Sequence, residues 1–324
     1  MTETRVAQSV NQGMGTVITH KAFGKQAEES IRAVCEETVR MEELLSRFIP
    51  GSEISRVNRS AGRKCEKISD EAYEVLSRAV EFSTCCRGIF DVTIGPLVTL
   101  WNIGNDTSKP PDESRIRQAL PLVNYADLVL DPCEKAAGLQ KTGQFIDLGG
   151  IGKGFAGDKF LEVFKKYGVS SAFTNIGGNV VTLGAKPDGS PWRIGIQHPR
   201  VDNSLLGLLS VVDKAVVTSG DYQRCFIDRN GKRYHHILNP FTGYPSESGL
   251  VSVTIVSDHS TEADALSTIL FVAGMKKGLE LLGSFPGTEA ILVDRDLQVF
   301  VTKGLKDCFQ AGEGVNVNIL NYGG

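Results

Sequence analysis

A few short stretches of the 324-residue sequence hold side chains that do chemistry. In FIDLGGIGKGFAGD (residues 145–158) an apolar run meets glycines that open a helix, with Asp147 before them and Lys153 among them. Free backbone N–H groups and the helix dipole then face one point, a seat for phosphate, and Lys153 adds a positive charge. GKGFAG fits GxGxxG, but no acidic residue ends a second strand about 20 residues on, which argues against a dinucleotide fold. Gly154, not Ser or Thr, follows Lys153, so this is not a P-loop either. A tight strand-to-helix turn with a solvated lysine explains the segment alone equally well.

TEADALST (residues 261–268) places Asp264 and Thr268 four residues apart, on one helix face. Carboxylate and hydroxyl oxygens suit a hard cation such as Mg²⁺, which keeps waters and bridges to substrate phosphate. Thr261 with Asp264 also resembles a helix-capping box, and capping is the more economical reading of this segment by itself. GKRYHHILNPFTGYP (residues 231–245) sets His235 and His236 between a strand and a Pro/Gly turn. Such a histidine could orient a leaving oxygen or act as acid or base, but paired histidines are as often structural. No zinc spacing occurs, and Ser219 lacks the GxSxG context of a hydrolase nucleophile. GIFDVTIGPLVTLWNIG (residues 88–104) combines Phe90, Asp91, Thr93 and Trp101. It could frame a flat heterocycle, or equally form a core turn around one bonded Asp. Together these stretches suit a nucleotide-like pyrophosphate substrate held by an oxygen-ligated metal.

The elements that must position these groups follow from periodicity. Residues 14–20 read as a strand, and Ile31, Val34, Cys35, Met41, Leu45 and Phe48 mark a long amphipathic helix. Ser69 caps a second helix running to about Cys86, with Asp70 and Glu71 in its first turn. Residues 105–112 are loop; residues 127–130 and 144–146 are short strands. A helix runs from the glycine cluster to about Tyr167, and residues 172–228 form an antiparallel meander. The strand VSVTIV (residues 251–256), a helix pair at 261–273 and 275–282, and strands at 290–293 and 298–301 complete the pattern. Most strand-to-strand links are too short for βαβ crossovers, so the expected class is α+β, one domain of antiparallel sheets with flanking helices.

Composition narrows the function classes. With 35 Lys+Arg against 38 Asp+Glu the net charge is -3, which gives no general attraction for nucleic acid or anionic membrane. The 35 glycines are about 11% of the chain against a usual 7%, a sign of special turns or close backbone approach to a ligand. Seven cysteines without CxxC spacing point to reduced thiols. Neither a signal-peptide core nor a spanning stretch is present, so a soluble cytoplasmic protein with no membrane insertion is expected.

The order of motifs resembles the ApbE family of FAD:protein FMN transferases: MGT (residues 14–16), SRFIPGSEISRVN (46–58), GIFDVTIGPLVTLW, IDLGGIGKGFAGD, NIGGNV (175–180), YHHILNPFTGYP and TEADALST. The resemblance covers residues 14–301. It implies the family's α+β (T-fold-like) arrangement over residues 14–302, with residues 1–13 as an N-terminal extension and 303–324 as a C-terminal tail. It implies Mg²⁺-dependent transfer of the FMN half of FAD to a Thr or Ser hydroxyl of an acceptor flavoprotein, making a phosphoester and releasing AMP. Carried over by position, Met14, Phe48, Ile89, Phe90, Asp91, Asp147, Lys153 and Ile237 match FAD contacts. Gly150, through its carbonyl, and Asp264, Ser267 and Thr268 match metal ligands, while His236 and Asp264 are the catalytic candidates. Many family members are exported lipoproteins. The missing leader and lipid-accepting cysteine make a cytoplasmic acceptor the expectation here, and no acceptor-type segment stands in the chain itself. An FAD pyrophosphatase, giving FMN and AMP, and a non-catalytic FAD-binding protein remain the alternatives.

Overall fold

The structure, a computed structural model, describes residues 5–104 and 109–321. Strands β1 (Val6–Gly13) and β2 (Thr16–Phe23) form the opening hairpin. Met14 and Gly15 make its two-residue turn with φ of 52° and 71°, the left-handed pair whose twist suits a tight hairpin. The strand expected from residue 14 therefore starts at Thr16. Helix α1 (Ala27–Leu45) buries Ile31, Val34, Met41 and Leu45 along one stripe but ends before Phe48.

Helix α2 (Glu53–Arg59) is capped by Ser52 and helix α3 (Asp70–Cys85) by Ser69, whose hydroxyl accepts from the Ala72 amide. The short β3 (Glu66–Lys67) lies between them, and α4 (Gly95–Trp101) and α5 (Glu113–Ala119) follow. Of the loop expected at residues 105–112, residues 105–108 lie outside the described residues, and 109–112 form neither helix nor strand. Strands β4 (Leu128–Asp131) and β5 (Ala136–Leu139) make a small sheet with β3. The strand expected at residues 144–146 is not one. Asn58 takes both backbone groups of Ile146 (2.7 and 3.0 Å), leaving a single bridge from Phe145 to Ile94.

Helix α6 (Gly152–Lys166) opens after the glycines as expected. The meander comprises β6 (Ser171–Ile176), β7 (Asn179–Leu183), β8 (Trp192–Gln197), β9 (Leu205–Val211), β10 (Ala215–Gly220) and the hairpin β11 (Cys225–Ile227)–β12 (Arg233–His235). Then come β13 (Leu250–Ser257), α7 (Ser260–Ala273), α8 (Met275–Leu282), β14 (Glu289–Asp294), β15 (Val299–Thr302), β16 (Phe309–Ala311) and β17 (Val317–Leu320).

One nine-stranded sheet in the order β1-β2-β6-β7-β10-β13-β14-β15-β17 organises the molecule. Every pairing in it is antiparallel except β15 with β17. Residues 6–13 and 317–320 supply its two edges, so both flanks set apart in the sequence reading contribute strands. Helices α1, α6 and α7 pack on one face. The sheet β16-β9-β8 covers the other through Ile194, Leu206, Leu209, Val216 and Val293. With both faces covered, β13 is buried along its whole length, and its Thr254 hydroxyl pairs with that of Thr218 on β10 (2.8 Å). The class is α+β. All seven cysteines are free, and among the described residues no helix is long and apolar enough to cross a membrane.

Candidate active site

The first turn of α6 gathers the expected groups. Asp147 is anchored by its amide on the Val92 carbonyl (2.7 Å), and its Oδ1 accepts from Gly149 N (2.7 Å), closing the turn before the helix. Its Oδ2 pairs with Arg47 Nε at 2.9 Å. Space beside Gly150 is tight: a Cβ there would stand 3.0 Å from the Phe90 ring and 3.2 Å from Thr268 Oγ1. Gly150 is thus a neighbour of the Thr268 hydroxyl of α7. Lys153 Nζ lies 3.7 Å from Asp264 Oδ1 and 3.5 Å from the Gly149 carbonyl.

Asp264 is almost wholly buried, its side chain 4% exposed. Its Oδ2 accepts from the Gly154 amide at 2.8 Å, one of the first-turn donors of α6 that lack a helical partner. The capping box expected from Thr261 and Asp264 is not formed. Thr261 donates instead to Asp158 of α6 (2.6 Å), and the N-cap residue of α7, His259, makes no side-chain cap. A carboxylate from another helix has replaced the local one, which frees Asp264 to face the site.

Gly150, Lys153, Gly154, Asp264, Thr268 and Phe90 thus form one contiguous group. Ser267 is fully buried; its hydroxyl donates to the Asp264 carbonyl (2.8 Å) and meets Ser219 of β10 (2.8 Å), so it ties α7 to the sheet. Among the described residues no three His, Cys, Asp or Glu side chains are grouped to hold a metal. The oxygen groups that α7 brings to this place are the Asp264 carboxylate and the Thr268 hydroxyl, with Gly150 as the neighbour of the hydroxyl. One charge in an all-oxygen set leaves positions for waters and substrate phosphate, which fits Mg²⁺ and does not fit zinc.

The two histidines divide their roles. His235 is spent on structure: Nε2 donates to the Ser246 carbonyl (3.0 Å), Nδ1 accepts from Ile237 N (3.3 Å), and the ring sits edge-on against Phe271. Burial lowers its pKa. His236 Nδ1 donates to the Arg224 carbonyl (3.3 Å), which leaves Nε2 without a partner among the described residues. Desolvation first, then the charges of Arg224, His235 and Lys153, push this imidazole down to about 4, so it is neutral at pH 7. Ile237 is buried, with its carbonyl bonded to Ser246 N (2.9 Å).

The segment 88–104 holds a buried turn at residues 89–93 followed by α4. Asp91 spends Oδ1 within the turn, on the Thr93 amide and hydroxyl (2.8 and 2.6 Å), and Oδ2 outside it, on Tyr125 N (2.8 Å), and burial raises its pKa. Ile89 is buried in the main core, and Trp101 is buried against Tyr234 and Tyr244 beneath the histidine hairpin. Met14 is half-buried in the hairpin turn. Phe48 is 79% exposed, its ring stacked 4.5 Å from the Arg47 guanidinium, an open flat surface beside Asp147. Sequence reasoning passed over Arg47 and Asp158. A lone arginine before Phe48 has no informative spacing, whereas an acidic residue one turn after Gly154 was a usable signal.

Lys153, the start of α6 and the carboxylate of α7 meet at one place. The chain belongs to the ApbE family, whose family model matches residues 14–292. It is 33% identical to the FAD:protein FMN transferase of Treponema pallidum, over 91% of this chain and 86% of that protein. The identity is 34% with the FAD:protein FMN transferase of Klebsiella pneumoniae, over 93% of each. The crystal structure of the ApbE protein from Thermotoga maritima superposes with a TM-score of 0.86 at 30% identity, covering 94% of this chain and 99% of that one.

Proposed function

We propose that this protein is a Mg²⁺-dependent FAD:protein FMN transferase. The observation that carries the reading is the contact of Asp264 with the first turn of α6, beside Lys153 and beneath Gly150 and Thr268. In the reaction a Thr or Ser hydroxyl of an acceptor flavoprotein attacks the FMN-side phosphorus of FAD. The new P–O bond is the phosphoester, the pyrophosphate P–O bond breaks, and AMP leaves with the electron pair. Bound at Asp264, Thr268 and the Gly150 carbonyl, Mg²⁺ would neutralise charge on the nonbridging oxygens. Lys153, beside Asp264, would face the same charge.

His236, neutral with Nε2 free, accepts the hydrogen bond of the attacking hydroxyl and so orients its lone pair to phosphorus. With a pKa near 4 it is a weak proton sink, which suits a late proton transfer in a loose transition state. The exposed Phe48 ring, backed by Arg47, is a platform for the isoalloxazine. Met14, Asp147 and Ile237 complete the FAD contacts in this reading.

Incubation with FAD, Mg²⁺ and a candidate acceptor, followed by mass spectrometry of the acceptor, tests the function. FMN mass on the acceptor with one AMP released per label is the expected result. AMP without labelling would make the protein an FAD pyrophosphatase, and bound flavin without AMP a carrier.

A further inference from the structure

We propose that Asp158 is a positioning residue for the cation site: it sets the first turn of α7, and through it the places of Asp264 and Thr268. The proposal rests on the reading of Asp264 and Thr268 as cation ligands. Helices α6 and α7 exchange carboxylates. Asp264 of α7 accepts from Gly154 N in the first turn of α6 (2.8 Å). Asp158 of α6 accepts from Ser260 N (2.7 Å), Thr261 N (2.9 Å) and Thr261 Oγ1 (2.6 Å) in the first turn of α7. Each helix start carries unpaired N–H groups and the positive end of the dipole, so each carboxylate stabilises the other helix at the end where it begins.

Three further observations make Asp158 the controlling member of this exchange. The N-cap residue His259 gives α7 no side-chain cap, so the start of α7 is held from α6. The helices meet at Ser260 without spacers: a Cβ on Gly157 would stand 2.8 Å from Ser260 Oγ, and one on Gly154 would overlap the Ser260 carbonyl. Asp264 and Thr268 follow Ser260 by one and two turns on the same helix. A shift of that first turn therefore displaces the carboxylate and hydroxyl together, relative to Gly150, which belongs to the segment before α6 and not to α7. Asp158 bears on the cation through geometry alone.

Mn²⁺ binding in the presence of saturating FAD, followed by EPR, reads this directly in the full-length protein. Asp158→Asn, which sets an NH₂ against backbone N–H groups, is expected to weaken Mn²⁺ about tenfold, the usual scale for partners that orient ligands. Thr261→Val, which keeps both amide bonds, is expected to weaken it about two- to fivefold, as for loss of one hydrogen bond. Saturating Mg²⁺ should restore the transfer rate of both variants, whereas a purely structural lesion lowers the rate by one factor at every Mg²⁺ concentration. Wild-type Mn²⁺ affinity in both variants, or loss of rate that Mg²⁺ does not restore, would overturn the proposal. Should Asp158→Asn not fold, Thr261→Val carries the test. Asp264→Ala separates the two levels: if it still binds Mn²⁺ as wild type does, the cation assignment itself fails. If it loses Mn²⁺ while the other two variants keep wild-type affinity, only the role of Asp158 fails.

Discussion

The two faces of the nine-stranded sheet have opposite characters. The face under β8 and β9 is packed mainly by Val, Ile, Leu and Trp192, and the polar groups buried on it, such as Thr254 and Ser252, are uncharged hydroxyls. The face under α1, α6 and α7 is also apolar at heart, yet it encloses Asp264, Ser267, His20 and Thr38. Strands neutralise their own backbone within a sheet, so a sheet-on-sheet interface needs no buried charge. Helices arriving at a sheet bring unpaired amides and a dipole, and these make a buried carboxylate tenable. Chemistry gathers where helices begin.

That contrast can be broken by substitution. Asp264→Ala should cut FMN transfer at least about 10³-fold, some 4 kcal/mol of barrier, with the fold kept, as read by acceptor mass and circular dichroism. Near-wild-type labelling would remove Asp264 from the site. On the opposite face, Leu209→Ala should cost about 3 kcal/mol of stability, since Leu209 is fully buried, while the rate per folded molecule stays unchanged. A urea titration beside the transfer assay checks this, and a slowed folded enzyme would mean the two faces are coupled.

Acid should also act on the helix face. His20 is fully buried between Thr174 and Thr38, and desolvation lowers its pKa to about 4 from 6.5. Between those values the unfolded chain binds the proton and the folded one does not, so stability falls as pH drops from 6.5 toward 4. From pH 7 to 4.5 His20 alone should remove about 2 kcal/mol, and His20→Gln should flatten that slope in paired urea midpoints. The smallest effect expected is that of Ser219→Ala. It loses one hydroxyl pair with Ser267, about 1 kcal/mol, and leaves transfer measurable.

The readable parts of the sequence were those decided locally. Ser69 announces α3 because a cap acts within three residues, and the glycines announce α6 because a side chain at Gly154 would overlap the Ser260 carbonyl. Asp264 and Thr268 stood out by helical spacing. What escaped was decided at a distance. Asn58 claims the backbone of Ile146, which turns an apparent strand into a single bridge. Asp158 replaces the capping box that Thr261 and Asp264 suggest, and it does so from across an interface. The adjacent histidines are identical in sequence terms, and the carbonyls of Ser246 and Arg224 divide them.

The pairing of β2 with β6 has a consequence for how the chain is made. Phe23 lies opposite Ser171 and Ile18 opposite Ile176, so residues 24–170 must be synthesised before the central pairing can close. At translation rates of about 5–20 residues per second, the opening hairpin waits on the order of 10 s on the ribosome with one edge unpaired. Closing so long a loop makes a slow, late step in folding, and the vulnerable species is the nascent chain that ends before residue 171.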